Sequence, residues 1–341
     1  MKRLVLLLLS LSILLCGCSV VPAVEEKQYN ATFLNLFDTL TTIVGRGTSQ
    51  EEFQAKAQRI HDELEGYHQL FDIYNEYPDM VNLCTLNQEG AKAPMTVDPR
   101  IMALLADCKE LYTATGGRVN VAMGAILSVW HEARSRGRDD PTTAVLPQQE
   151  ALEEGSLHCD MDDLILDETA GTVYFADPLL QLDVGAIAKG WAVQRVAEKT
   201  ESGFLISVGG NVCATGPKDG KGTPWVIGIQ DPDGGESYLH TIYLEKGCVV
   251  TSGDYQRAYV VDGKLYHHII DPETLYPGEY WRSVSVVCQD SGIADALSTA
   301  LFLLPLEEGK SLLETFGAYA LWVDARGERY YSPGFQELIR T

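Results

Sequence analysis

A carboxylate and a hydroxyl with the spacing of a metal site occur near the end of the chain. Asp295 and Thr299 are four residues apart in an apolar segment with helical character, and positions i and i+4 lie on the same face of a helix. Such hard oxygen ligands suit Mg²⁺ or Ca²⁺, and Mg²⁺ commonly binds one or two carboxylates together with substrate phosphates. The pair therefore predicts a metal site, although an Asp near the start of a helix can equally be its N-cap.

Two adjacent histidines precede this helix and could supply a general base. His267 and His268 end a hairpin predicted around Asp262-Gly263, and Asp271 follows them. A histidine beside a carboxylate can accept a proton near neutral pH. Because adjacent residues of a strand point to opposite faces, only one of the two can enter a site, and either could instead face solvent.

Two turns rich in small residues could bind an anion. The first, DVGAIAKG at residues 183–190, leads into a helix with Lys189 near its N-terminus, where free N–H groups, the helix dipole and an ammonium group attract negative charge. A tight packing turn with a surface lysine explains the same residues equally well. The second turn, Gly209-Gly210, follows a buried strand and could hold a phosphate or a nucleoside, although such a pair is more often only a turn.

The charge of the chain limits its partners. The 341 residues carry a formal net charge of −22 at pH 7, which argues against nucleic acid or an anionic membrane surface as a partner. A ligand that bears phosphate would need a local cation to offset this field. The sequence contains no G-x-x-x-x-G-K-[ST] or G-x-G-x-x-G motif, so neither a P-loop nor a Rossmann site is indicated.

The N-terminal residues predict export and lipidation. Lys2 and Arg3 precede an apolar run at residues 4–15 that is too short to span a bilayer and is typical of a signal peptide. The run ends in Leu-Cys-Gly-Cys, which resembles a bacterial lipobox with Cys18 as the lipidated residue; the alternative is a plain secretory signal. We therefore expect a signal peptide at residues 1–17, a lipidated cysteine and tether at 18–30, and one domain at 31–341, on the extracytoplasmic face of a bacterial cell membrane.

The remaining chain mixes strands and helices without a regular βαβ alternation, which favours an α+β fold. The pattern predicts a strand at residues 32–44, a helix at 51–71 with Ser49 as its N-cap, an irregular loop at 74–87 and a loop connection at 141–156. Of the eight cysteines, Cys16 and Cys18 belong to the signal and six remain. We interpret these six as small buried hydrophobes; disulfides are possible outside the cytoplasm, but the sequence does not pair them.

Five motifs occur in one order along the chain: LDVGAIAKG, SVGGN, TSGDYQR, HHIIDPET and ADALSTA. Together they resemble the FAD:protein FMN transferase family, the ApbE-type flavin transferases, and the similarity extends over residues 33–331. The resemblance implies a single mixed α+β catalytic domain that binds FAD with Mg²⁺ and cleaves the pyrophosphate. It also implies that AMP is released and that FMN is linked to a Thr or Ser hydroxyl of an exported electron-transport protein.

The resemblance assigns roles to individual residues. Asp295 and Thr299 match metal ligands, with the Ala186 carbonyl completing the set, and His268 matches the base for the acceptor hydroxyl. The positions that match flavin contacts are Phe37, Tyr74, Arg118, Val119, Asn120, Asp183, Lys189, Gly210, Ser252 and His268.

The chain departs from the family pattern at two places. Asn120 replaces an acid and Val119 an aromatic residue, so contacts to the isoalloxazine or the adenosine could differ. Leu275 stands where D-P-x-T-G has glycine, so that turn could differ in shape. Two other functions fit the same residues: a metal-dependent FAD pyrophosphatase that gives FMN and AMP, and a non-catalytic flavin-binding lipoprotein.

Overall fold

A computed structural model describes residues 26–235 and 237–340, so the predicted signal peptide and Cys18 lie outside the described residues. Within this part of the chain the strands are β1 Lys27–Leu36, β2 Thr39–Gly47, β3 Met95–Thr96, β4 Leu164–Asp167, β5 Thr172–Phe175, β6 Leu205–Val208, β7 Asn211–Ala214, β8 Trp225–Gln230, β9 Tyr238–Leu244, β10 Gly247–Gly253, β11 Ala258–Val261, β12 Lys264–His267, β13 Ser283–Cys288, β14 Tyr319–Val323 and β15 Arg329–Tyr331. The helices are α1 Gln50–Phe71, α2 Leu83–Glu89, α3 Pro99–Ala114, α4 Gly124–Asp139, α5 Gln149–Ser156, α6 Ala188–Lys199, α7 Ser291–Phe302 and α8 Leu306–Phe316.

An antiparallel sheet of eight strands, in the order β1-β2-β6-β7-β10-β13-β14-β15, forms the centre of the molecule. Helices α1, α6 and α7 pack on one face of this sheet, and the β8–β9 hairpin packs on the other through a separate apolar cluster. A three-stranded sheet, β3-β5-β4, and the β11–β12 hairpin complete the strands of the described residues. The predicted mixed α+β fold is confirmed.

The prediction of one strand at residues 32–44 is wrong, because the chain reverses within it. Phe37 and Asp38 form the turn between β1 and β2, with φ of 52° and 53°. Such turns usually carry Gly, Asn or Asp at both positions. A phenylalanine at position 37 therefore did not predict a turn there. Strand β1 begins at Lys27 and pairs with β2; residues 27–30, which we assigned to the tether, therefore belong to the sheet.

The first long helix agrees with its prediction. The Ser49 side chain accepts a hydrogen bond from the backbone N–H of Glu52, and the apolar stripe of α1 is buried. The loop predicted at residues 74–87 is wrong at its end, because Asn82 caps α2 by accepting from the N–H of Thr85. Helix α5 likewise occupies part of the predicted connection at 141–156.

Helices α6 and α7 cross closely at Gly190. A Cβ atom added to Gly190 would lie 2.2 Å from the Ser291 carbonyl oxygen and 2.6 Å from the Asp295 Cβ, so only glycine allows this approach. The crossing brings the turn at residues 183–190 against Asp295. No helix in the described ranges combines the length and apolar composition needed to cross a membrane.

Candidate active site

Asp295 lies inside α7 and does not cap it. The N-cap is Asp290, whose carboxylate accepts hydrogen bonds from the N–H groups of Gly292 at 2.7 Å and Ile293 at 3.0 Å. The alternative that Asp295 is the cap is therefore wrong. Asp295 is one turn further on and only 4% exposed, which leaves its carboxylate free for another role.

The Asp295 carboxylate has few partners for a buried charge. Its Oδ2 accepts a hydrogen bond from the Gly190 N–H at 2.8 Å and lies 3.8 Å from the Lys189 Nζ. Burial raises the pKa of Asp295, and Lys189, the Gly190 N–H and the Asn211 carboxamide oppose that rise. Because a desolvated carboxylate gains most from a nearby cation, this environment fits a metal ligand.

The neighbouring residues fit the same use. Thr299 lies on α7 one turn after Asp295 and is partly exposed, as is Ala186 in the turn before α6. A carboxylate, a hydroxyl and a backbone carbonyl form a hard oxygen set of the kind that Mg²⁺ prefers.

A different kind of acidic cluster exists elsewhere. Among the described residues, the one group of three or more His, Cys, Asp or Glu side chains close enough to share an ion is His61, Asp62 and Glu65 on α1. It is largely exposed and lies outside the five motifs. The predicted metal site holds a single carboxylate and is not of this type.

The turn at residues 183–190 is held by its own contacts and presents Lys189. The Asp183 Oδ1 accepts from the Gly185 N–H at 2.8 Å, and the Lys189 Nζ donates to the Gly185 carbonyl at 3.3 Å. Helix α6 begins at Ala188, so Lys189 stands in its first turn. The turn packs tightly and also places the Lys189 ammonium group beside Asp295.

Ser252 connects β10 to α7. Its hydroxyl lies 2.7 Å from the Ser298 hydroxyl, and the Ser298 hydroxyl donates to the Asp295 carbonyl at 2.8 Å. Gly210 is exposed in the two-residue turn between β6 and β7, with φ of 94°. A Cβ there would lie 3.6 Å from the Thr251 carbonyl oxygen, so this turn abuts the Thr251-Ser252 segment.

His267 and His268 have different surroundings. The His267 Nε2 donates to the Gly278 carbonyl at 2.8 Å, and its Nδ1 accepts from the Ile269 N–H at 3.2 Å. Both ring nitrogens of His267 are therefore used in the core, which fixes a neutral tautomer. The His268 Nδ1 is buried and has no hydrogen-bond partner within the described ranges, so His268 is the histidine available to a ligand.

Cations surround His268. Burial, followed by the positive charges of Arg257, Arg134 and Lys189, lowers the pKa of His268 to about 3. The imidazole is thus neutral across the physiological range and able to accept a proton. An anion bound among these cations would offset their charge and raise the pKa of His268 towards its ordinary value.

The sequence interpretation missed His131 and Arg134 on α4. The His131 ring lies 5.4 Å from the ring of Tyr74, and the Arg134 Nη2 lies 3.2 Å from the His131 Nδ1. Tyr74 is 59% exposed, which leaves a ring face for stacking. Burial lowers the pKa of Arg134, and Arg257 lowers it next. No motif marks α4, so only its position in the fold reveals these residues.

A cavity of about 260 Å³ lies beside the predicted contacts at residues 118–120. Its lining includes Arg118, Asn120 and Leu275. Arg118 forms ion pairs with Asp271 at 2.9 Å and Glu273 at 2.8 Å, so its guanidinium anchors the wall.

The two other residues of the 118–120 segment differ in their exposure and contacts. Val119 is 1% exposed; its side chain belongs to the core, and only its backbone could reach a ligand. The Asn120 Nδ2 donates to the Cys159 carbonyl at 2.9 Å, and its Oδ1 accepts from the Ala122 N–H at 2.8 Å. An acid at position 120 could not make the first of these bonds when ionised.

The turn that holds Leu275 keeps the conformation that glycine favours. Leu275 has φ of 63°, and its carbonyl accepts a hydrogen bond from the Trp130 Nε1 at 2.9 Å. The departure from glycine therefore adds a side chain to the cavity wall at some backbone strain. Phe37, the remaining predicted contact, lies in the β1–β2 turn with its ring 5.4 Å from that of His68.

Comparison with known proteins identifies the family of the chain. The sequence model of the ApbE family matches residues 37–322, which is most of the chain. The chain belongs to the ApbE family. Among curated ApbE-family relatives, the FAD:protein FMN transferase of Treponema pallidum is 34% identical over 278 residues, covering 76% of this chain and 75% of the relative. The Escherichia coli K12 enzyme of the same name is 24% identical and covers 97% of this chain and 96% of its own.

Solved ApbE structures share the fold. The ApbE protein of Thermotoga maritima superposes with a TM-score of 0.81 at 29% identity, covering 92% of this chain and 100% of its own. The flavin transferase ApbE of Vibrio cholerae gives a TM-score of 0.74 at 23% identity, with coverage of 92% and 100%.

Proposed function

We propose that this chain is an FAD:protein FMN transferase. The observation that carries the proposal is the crossing of α6 and α7, which sets a buried carboxylate, Asp295, beside the Lys189 ammonium, whose charge also acts on His268. Membership of the ApbE family and the name of its curated relatives support the activity. The concentration of cations in a protein of net charge −22 supports a polyanionic substrate.

The substrate is FAD, and its pyrophosphate is the reacting group. The side chains of Asp295 and Thr299 with the Ala186 carbonyl would hold Mg²⁺, which neutralises phosphate charge when it is bound. Lys189, Arg134 and Arg257 supply the positive charge of the protein itself. The exposed ring of Tyr74, supported by His131, offers a stacking surface for the isoalloxazine.

His268 accepts the proton of the acceptor hydroxyl. The Thr or Ser oxygen attacks the phosphorus nearer riboflavin, a phosphoester P–O bond forms, the phosphoanhydride P–O bond breaks and AMP leaves. Such phosphoryl transfer depends mainly on positioning and charge neutralisation. His268 serves as a base because its lone pair is free while the substrate charge offsets the surrounding cations.

The acceptor and the location of the enzyme belong to the same proposal. The lipobox-like sequence at residues 15–18 supports a lipid anchor at Cys18 on the extracytoplasmic face of a bacterial membrane. An anchored enzyme acts on exported proteins, and the family resemblance indicates an electron-transport protein with a target Thr or Ser. The domain that does so spans residues 31–341 together with the strand residues 27–30.

Incubation of the purified full chain with FAD, Mg²⁺ and a candidate exported acceptor tests this function. Flavin fluorescence that stays with the acceptor in a denaturing gel, with AMP released in equal amount, is the expected result. AMP and FMN without a labelled acceptor would instead support a metal-dependent FAD pyrophosphatase. Bound but unchanged FAD would overturn both enzymatic functions in favour of a flavin-binding lipoprotein.

A further inference from the structure

Two cysteines face each other across the centre of the large sheet. Cys213 on β7 and Cys248 on β10 are directly opposite in an antiparallel pair. Opposed residues in such a pair have Cα atoms about 4.5 or 5.5 Å apart, depending on their hydrogen bonding. Both values fall within the range of about 4.4–6.8 Å that disulfides require, so the backbone needs no rearrangement for a bond.

The two sulfur atoms point at each other. The Cys213 and Cys248 Sγ atoms are 2.8 Å apart, and both residues are buried, at 3% and 0% exposure. Gln194 on α6 and the carbonyl of Gln289, just before α7, lie about the Cys248 Sγ at 3.9 and 4.0 Å. The pair thus lies where both site helices cover the sheet.

We propose that Cys213 and Cys248 form a cross-strand disulfide in the exported protein. The bond forms by exchange with a disulfide of an extracytoplasmic thiol oxidant: each cysteine loses a proton, two electrons pass to the oxidant, and its disulfide becomes two thiols. The proposal rests on the proposed extracytoplasmic location, where disulfides persist. Since the folded strands bury both sulfurs, exchange takes place while the chain folds.

The cross-link would stiffen strands β7 and β10, which contact Asp295 and helix α7. Strand β7 begins with Asn211, whose carboxamide acts on the Asp295 carboxyl, and β10 carries Ser252, which contacts α7 through Ser298. A bond between Cys213 and Cys248 fixes these two strands to each other near both residues. It closes a loop between positions 35 apart in the chain, which restricts the unfolded state.

Peptide mapping of the full chain tests the bond. The chain is expressed with its own leader, denatured without reductant, alkylated and digested with trypsin. Trypsin separates the two cysteines into peptides of residues 200–218 and 247–257, so a disulfide appears as a linked pair that reductant releases. The same protein is also unfolded and refolded with reduced and oxidised glutathione, which tests the pairing independently of where the cell places it.

Linked peptides from the cells and after refolding support the proposal. A link that appears only after refolding supports the pairing and overturns the extracytoplasmic location on which it rests. Free, fully alkylated Cys213 and Cys248 after both treatments overturn the disulfide, even where FMN transfer is normal. Activity of the same sample is assayed separately, so failure of the disulfide and failure of the transferase function are distinguished.

Matched variants separate the cross-link from packing. We expect dithiothreitol to lower the melting temperature of the chain by roughly 5 °C and to have no such effect on a Cys213→Ala/Cys248→Ala variant. Cys288→Ala is the control, because Cys288 lies opposite Cys248 on the other neighbouring strand, β13. That variant should keep both the linked peptides and the response to dithiothreitol. In the unchanged chain, a link between peptide 247–257 and the peptide that carries Cys288 would identify Cys288 as the true partner and overturn the proposal.

Discussion

The backbone N–H of Gly190 donates a hydrogen bond of 2.8 Å to the carboxylate of Asp295, a residue 105 positions further along the chain. This contact joins the two halves of the site. The turn that carries Asp183, Ala186 and Lys189 lies on one side of it, and helix α7 lies on the other. Each half is incomplete alone, because Lys189 brings the cation and Asp295 the buried anion.

Replacement of Asp295 by Asn should separate metal binding from folding. The amide keeps the shape and can still accept from the Gly190 N–H, while the buried charge is removed, so the melting temperature should stay the same or rise. Mg²⁺-dependent release of AMP from FAD should fall by at least about 100-fold. Calorimetry and a Mg²⁺ titration of AMP release measure the two effects; full activity of the variant would remove the metal assignment.

Gly190→Ala should destabilise the whole domain. The new Cβ would meet the Ser291 carbonyl oxygen and the Asp295 Cβ at 2.2 and 2.6 Å, and overpacking of this kind costs about 1–3 kcal/mol. Gly66→Ala in α1 is the matched control, since the nearest atom is the flexible Arg100 guanidinium at 3.4 Å. That change should stabilise by about 0.5–1 kcal/mol. Urea unfolding of both variants provides the comparison; equal free energies of unfolding would contradict the close crossing.

The pH dependence of activity should reflect the environment of His268. Because the pKa of His268 in the free enzyme is lowered to about 3, the base stays unprotonated as the solution is acidified. We therefore expect kcat/KM to show no acid limb near 6.5, the ordinary histidine pKa, down to about pH 5. A clear inflection near 6.5 that disappears in His268→Gln would show that the imidazole is solvated.

The same shift affects stability in a defined direction. Between about 6.5 and about 3 the unfolded chain binds a proton at position 268 that the native state does not. The free energy of unfolding therefore falls as the pH decreases through this window, by at most about 1.4 kcal/mol per pH unit from this group. His268→Gln should flatten that part of the profile measured by urea unfolding, and an unchanged slope would contradict the shift.

Arg134→Ala should weaken the interaction with FAD. The guanidinium is partly buried near Arg257 and contacts His131, so its loss removes charge that the pyrophosphate would neutralise. We expect KM for FAD to rise about 10-fold, a typical effect of losing one charged contact, with a smaller change in kcat. Arg138→Ala on the exposed end of the same helix is the control. Equal KM values for the two variants would exclude Arg134 from the site.

Asn120→Asp should destabilise the cavity wall. Asp keeps the acceptor for the Ala122 N–H but, when ionised, opposes the Cys159 carbonyl to which Asn120 donates. Loss of a donor at such a contact costs about 1–3 kcal/mol. The loss should shrink at low pH, where a protonated carboxyl can donate again; thermal unfolding at pH 7 and pH 4 measures both values.

The sequence was informative where chemistry is encoded in short motifs. The turn before α6, the paired histidines and α7 were each identified from their motifs. The fold brings Lys189 and Asp295 together, and the family resemblance had assigned both residues to one site for FAD and its metal. The sequence was uninformative where tertiary packing determines the conformation of a turn or the position of a helix. The Phe37-Asp38 turn has no glycine to mark it, and α4 carries Arg134 and His131 on a helix that no local signal tied to the site.

The contact between Gly190 and Asp295 also determines when the site can exist. Its two segments are far apart in the chain, so the entropy of closing the intervening loop must be overcome before either segment gains its partner. A chain that extends only to the end of β13 contains Lys189 but lacks Asp295, which lies on α7. Binding of FAD at the proposed site should therefore begin only after α7 has docked against α6, which makes flavin binding a late event in the folding of the chain.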